Sequence, residues 1–127
     1  MPSTKESVEQ RMHFVKQDGG QVFKYAVRKM EELCKRLLDC HHLTPKDVKL
    51  LIPHQANIRI IEAIAKRLDL PMERVIVTID TQGNTSAASV PLALDTGIRD
   101  GRVKRGQLLL LEAFGGGFTW GSALIRY

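Results

Sequence analysis

The chain has 127 residues, 43% apolar and 26% charged, with a formal net charge of +5 at pH 7. Those values suit one domain with its own core and exclude a disordered, collagen-like or coiled-coil protein. The basic residues are scattered in blocks of at most two without interleaved aromatics, which argues against nucleic-acid binding and for a basic surface suited to an acidic protein partner.

Residues 1–10, with Pro2, Ser3, Thr4 and Ser7, read as a linker or loop, and 11–127 as the domain proper. Residues 13–17 read as a first strand, stopped by Asp18-Gly19-Gly20. Val22, Phe23, Ala26, Val27, Met30, Leu33, Cys34, Leu37 and Leu38 then share one face, which predicts an amphipathic helix of five turns. Cys34 and Cys40 lie six apart within it, a spacing that suits neither a disulfide nor a CxxC site, and they read as ordinary thiols of a cytoplasmic protein. His41 and His42 diverge around the helix end with no third ligand nearby, so a solvated terminus is favoured over a metal site. Thr44-Pro45-Lys46-Asp47 predicts a short capped helix.

Residues 48–52 form a buried apolar strand. Ile58, Ile61, Ile64, Ala65 and Leu68 predict a helix over 57–68, with Arg59, Glu62 and Lys66 as its polar stripe. Residues 75–79 are β-branched and predict a strand, and 80–84 have turn chemistry. Small residues throughout 85–100 predict a largely buried helix, bent at Pro91 about two turns in. Residues 107–112 and 119–126 complete the strands, and the longest apolar run, 108–111, is far too short to cross a membrane. The order of elements describes an α/β protein, a three-layer unit with a mixed sheet.

Three polar or glycine-rich spots follow strands at comparable places: His54, Asn84 and the glycines 115–117. Wound into one sheet, they would share one rim. An imidazole N–H and a carboxamide N–H would there form a donor pair for an enolate or tetrahedral oxygen. A glycine would let a backbone N–H approach a reacting carbonyl. Each spot also has a plain structural reading, as a hydrogen-bonded histidine, a turn residue or helix N-cap, and a hairpin. The glycine spacing is not GxGxxG, and Ser86 and Ser89 lie on no GxSxG elbow, so a dinucleotide site and a hydrolase are set aside.

Pro-His-Gln-Ala-Asn (53–57), Gly-Asn-Thr-Ser-Ala-Ala-Ser (83–89) and Leu-Glu-Ala-Phe-Gly-Gly-Gly-Phe-Thr-Trp-Gly (111–121) resemble the carboxyl-terminal half of 3-oxoacyl-acyl-carrier-protein synthase III, over nearly the whole chain. The resemblance implies half of a thiolase fold, part of an αβαβα sandwich. It implies the decarboxylative Claisen condensation of an acyl-CoA with malonyl-acyl-carrier protein that starts type II fatty-acid synthesis. No cofactor is implied, since the acyl-CoA and the malonyl-carrier protein are substrates.

By the family's Cys-His-Asn triad, His54 and Asn84 would be the last two members. Gly116 would supply an oxyanion-hole N–H, while Gly19, Phe23 and Asn57 would line the pantetheine tunnel of a coenzyme A thioester. Arg59 would dock acyl-carrier protein. The family is homodimeric, largely through the half that carries the nucleophilic cysteine. Neither Cys34 nor Cys40 stands in that cysteine's motif, and Met1 falls where the family would be mid-chain. The expectation is therefore an isolated carboxyl-terminal domain, inactive in condensation without the missing amino-terminal half. The alternatives are a non-catalytic module binding acyl-carrier protein or pantetheine, and one half of a two-chain enzyme.

Overall fold

Adjacent leucines on a strand point to opposite faces, so a run such as Leu108 to Leu111 calls for cover on both sides. A computed structural model describes residues 3–127 and shows how that cover is supplied. In chain order the elements are α1 (Lys5–Glu9), α2 (Gly19–Cys40), β1 (Leu50–Pro53), α3 (Ile58–Arg67), α4 (Ile79–Gln82), α5 (Ser89–Arg99), β2 (Leu108–Gly115) and β3 (Thr119–Arg126). Short 3-10 turns occupy Met72–Arg74 and Ser86–Ala88.

The sheet order is β1-β2-β3, with β1 parallel and β3 antiparallel to the central strand. Leu51 and Leu110 face α2 and α3, where they pack with Ala26, Met30, Leu38, Ile61 and Ile64. Leu50, Ile52 and Leu109 face the opposite way, onto Ala93 of α5. The sheet is mixed and lies between two helical layers, as the sequence implied. Met30 and Leu38 are 2% and 1% exposed, and burial of such side chains is worth about 1.5–3 kcal/mol each.

Several expectations are corrected. Lys5–Glu9 is a helix rather than a loop, because Thr4 and Ser7, read as linker residues, form a capping box: Thr4 Oγ1 accepts from Ser7 N–H at 3.1 Å and Thr4 N–H donates to Ser7 Oγ at 2.8 Å. Residues 13–17 are not a strand. Among the described residues they pair with no neighbour, and Val15 is 95% exposed. Residues 44–47 form a turn in which Thr44 donates to the Asp47 carboxylate through its backbone N–H and its Oγ1, both at 2.7 Å, the reverse of an N-cap.

The strand expected over 75–79 shrinks to a single parallel bridge between Leu51 and Val75. The reason is chemical. The Gln55 side chain takes Ile76 O and Thr78 N–H, two backbone groups that an extended ladder would need. The residues 80–84 expected as a turn include most of α4, which ends at Gly83 with φ 66°. The helix expected over 85–100 starts at Ser89, so Pro91 falls in its first turn, where no backbone N–H partner is lost and no bend is required. It is buried along one stripe only, Ser89, Ala93 and Gly97, while Leu92 is 38% exposed. Among the described residues no helix is long and apolar enough to cross a membrane.

Candidate active site

β1 ends at Pro53, and the next residue, His54, donates its backbone N–H to Glu112 O at 2.9 Å. This bond ties the histidine to the end of the neighbouring parallel strand, the edge at which α/β sheets bind ligands. Asn57 then caps α3 by accepting from Arg59 N–H at 3.0 Å. On the next crossover, the positive φ of Gly83 turns the chain into Asn84. The carboxamide oxygen of Asn84 accepts from Ser86 N–H at 3.0 Å, which leaves the Nδ2 hydrogens as its free donors. Gly115 ends β2 opposite Thr119, and Gly116 and Gly117 lie in the hairpin turn to β3. Gly116 N–H makes no hydrogen bond to the described residues, and a Cβ on Gly116 would meet nothing within 4 Å.

These three spots meet. A cleft of about 540 Å³ and a second of about 600 Å³ share His54, Asn84, Phe114, Gly115 and Gly116 in their walls. The convergence expected from the strand ends is present. Gly19, Phe23 and Asn57 line the second cleft together with Val15 and Gln17, so the segment misread as a strand is a wall of the site. Arg59 lines neither cleft. It is exposed in the first turn of α3, between the cleft residues Asn57 and Ile60. Among the described residues no three His, Cys, Asp or Glu side chains group as metal ligands.

Burial lowers the pKa of the His54 ring below the ordinary histidine value, so the imidazole is neutral near pH 7 and carries one N–H. Its Nδ1 lies 2.5 Å from Ser89 Oγ, and that oxygen also accepts from Gln55 N–H at 3.3 Å.

Two residues of this assembly escaped the sequence reading. Gln55 is fully buried, donating to Pro53 O at 2.7 Å and to Ile76 O at 3.1 Å while accepting from Thr78 N–H at 2.8 Å. It joins the segment carrying His54 to the one leading to Asn84. Ser89, a small residue of the expected buried helix that stands on no nucleophile elbow, is the second. The available signal was a glutamine and a serine beside otherwise apolar elements, which calls for buried partners.

A mixed sheet covered by helices on both faces is the architecture of half a thiolase fold, and the structures this chain superposes on share it. The family described as 3-oxoacyl-[acyl-carrier-protein (ACP)] synthase III C terminal matches residues 38–127. The chain is 63% identical over 114 residues to the beta-ketoacyl-[acyl-carrier-protein] synthase III of Alkalilimnicola ehrlichii, covering 90% of this chain and 35% of that protein. It is 67% identical over 109 residues to the enzyme of that name from Xanthomonas campestris pv. campestris, covering 86% of this chain and 34% of that protein. The crystal structure of 3-oxoacyl-[acyl-carrier-protein] synthase III from Aquifex aeolicus superposes with a TM-score of 0.88 at 51% identity, over 91% of this chain and 38% of that one. The Pseudomonas aeruginosa structure gives 0.88 at 43%, over 99% and 38%. The chain belongs to the 3-oxoacyl-acyl-carrier-protein synthase III family. It spans about a third of the length of the relatives it matches.

Proposed function

We propose that this chain supplies the decarboxylating half of a condensation site that joins an acyl group from coenzyme A to malonyl-acyl-carrier protein. The observation that carries this reading is the meeting of His54 and Asn84 in one cleft beside the free N–H of Gly116. When the malonyl carboxylate leaves as CO2, the bonding electron pair passes to the α-carbon and spreads onto the thioester oxygen. A neutral His54 N–H and the Asn84 carboxamide N–H donate to that oxygen. The carbanion then attacks an acyl thioester held on a cysteine. A carbon–carbon bond forms and the thiolate departs with its pair, while Gly116 N–H receives the oxygen of the tetrahedral intermediate.

The acylated cysteine is neither of those in this chain. Cys34 is buried between α2 and the sheet, where burial and then the nearby Glu112 push its thiol pKa up, and Cys40 is exposed at the end of α2, outside both clefts. The chain alone is therefore inactive in condensation and acts with a cysteine-bearing partner half. In an enzyme completed that way, Asn84→Asp puts a negative charge where negative charge develops. CO2 release from malonyl-carrier protein is expected to fall about 10²–10³-fold, the loss typical of one oxyanion donor. An unchanged rate would remove Asn84 from the role.

The second cleft, about 600 Å³ with Gly19, Phe23 and Asn57 among its mixed polar and apolar lining, would take the pantetheine arm. Arg59 is exposed two residues after the cleft residue Asn57, and Lys24, Arg28 and Arg67 line a depression that shares Gln21 and Phe23 with the second cleft. This is the basic surface on which an acidic carrier protein would dock. Arg59→Glu is expected to weaken carrier-protein binding in a manner that disappears as salt is raised. Equal affinity of the two proteins at low ionic strength, measured by titration calorimetry, would take Arg59 off the surface.

A further inference from the structure

Ser89 is the first residue of α5 and only 1% exposed. It is fixed in place by the stripe it shares with Ala93 and Gly97, and a Cβ on Gly97 would come within 3.0 Å of Val103 and 3.1 Å of Ile76. Its hydroxyl has two partners among the described residues, Gln55 N–H at 3.3 Å and His54 Nδ1 at 2.5 Å. We propose that Ser89 is a positioning residue that sets the tautomer of His54, keeping Nδ1 as an acceptor so that Nε2 carries the hydrogen. The inference rests on the reading of His54 as an oxyanion donor.

The assignment follows from counting hydrogens. The Gln55 backbone N–H can only donate, so one lone pair of Ser89 Oγ is already used. The hydroxyl hydrogen must go to an acceptor, and the one within hydrogen-bond distance among the described residues is His54 Nδ1. In the opposite tautomer Nδ1–H would donate to Oγ, and the serine hydrogen would be buried without a partner, which native structures avoid. The Gln55 side chain makes no hydrogen bond to the Ser89 hydroxyl. Its amide hydrogens go to Pro53 O and Ile76 O, and its carbonyl oxygen to Thr78 N–H.

The chemistry of the orienting group also matters. A carboxylate behind a histidine favours the imidazolium and so supports a general base. A serine hydroxyl donating to Nδ1 favours the neutral ring instead and leaves its N–H for a developing oxyanion. The titratable side chains that share a cleft with His54 are Lys16 and Asp18. On the adjoining strand Glu112 meets His54 through its backbone oxygen.

The test is nuclear magnetic resonance of the whole chain with 15N-labelled histidine, the His54 signals being identified by their loss in His54→Ala. The expected long-range 1H–15N pattern has an unprotonated Nδ1 and a protonated Nε2. Ser89→Ala should mix the two tautomers and raise the His54 titration midpoint. A native chain with its hydrogen on Nδ1 would overturn the proposal whether or not the variant folds. So would a folded Ser89→Ala chain with the native tautomer and midpoint. This readout needs no turnover. A protonated Nε2 in a chain whose completed enzyme releases CO2 equally well with His54→Ala would leave the Ser89 assignment standing and refute the oxyanion role.

Discussion

In an enzyme completed with a cysteine-bearing half, His54→Ala is expected to suppress CO2 release from malonyl-carrier protein while acylation of the cysteine by acyl-CoA proceeds at close to its native rate. The asymmetry is the point. His54 lines the cleft with Asn84, and burial favours its neutral ring, so in the proposed role it would donate a hydrogen bond to charge that develops only as CO2 leaves. Removing such a donor costs about 10²–10³-fold in the step it serves. Acylation has its own oxygen site, assigned to Gly116 N–H, which the substitution leaves alone. The check is parallel measurement of 14CO2 release and of labelled acyl transfer. Equal loss of both steps would mean that His54 acts on the nucleophile or simply holds the fold together.

The second large effect concerns stability. Glu112 on β2 is 1% exposed, and among the described residues neither of its carboxylate oxygens has a hydrogen-bond partner. Its side chain faces α2, where its charge is felt at Cys34, and its cross-strand partner Ser122 also has an unpartnered hydroxyl. Burial pushes the Glu112 pKa up from 4.5 to about 8. The sign follows. Below pH 4.5 the carboxyl is protonated in both folded and unfolded chains. Between 4.5 and 8 the unfolded chain loses the proton and the folded one retains it, so stability falls as pH rises through that window and levels off above it. At about 1.4 kcal/mol per pH unit, the loss amounts to several kcal/mol. Glu112→Gln keeps the shape and removes the ionisation. Its advantage over the native chain, read from urea unfolding midpoints, should grow from near zero at pH 4.5 to its maximum near pH 8. A constant difference across that range would mean that Glu112 is hydrated or paired in solution.

The parts of this molecule visible in the sequence are those in which one chain property determines one structural outcome. The apolar face from Val22 to Leu38 could only be a helix packed on a core, and it is α2. His54 was legible because it breaks an apolar element at the end of a strand, whereas Asn84 reaches the same cleft from the end of α4, where a strand was expected. What escaped depends on pairs of residues distant in sequence. The strand expected over 75–79 has the right β-branched composition but loses its ladder to the Gln55 side chain, 21 and 23 residues away from the backbone groups it takes. Ser89 reaches His54 across 35 residues. Thr4 and Ser7 were misjudged for the opposite reason, since residues common in loops are also those that cap helices. The expected buried helix over 85–100 was an inference from small side chains, yet small residues on one stripe suffice for close packing, and the other face of α5 stays open.

If this chain carries half of a condensation site, mixing it with the other half should restore turnover. The chain would be combined with a separately produced cysteine-bearing half of the same family and supplied with acetyl-CoA and malonyl-acyl-carrier protein. A 3-oxoacyl product is expected from the mixture, none from either half alone, and none from the mixture when this chain carries both His54→Ala and Asn84→Asp. Product formed at the native rate by the doubly substituted chain would contradict that expectation.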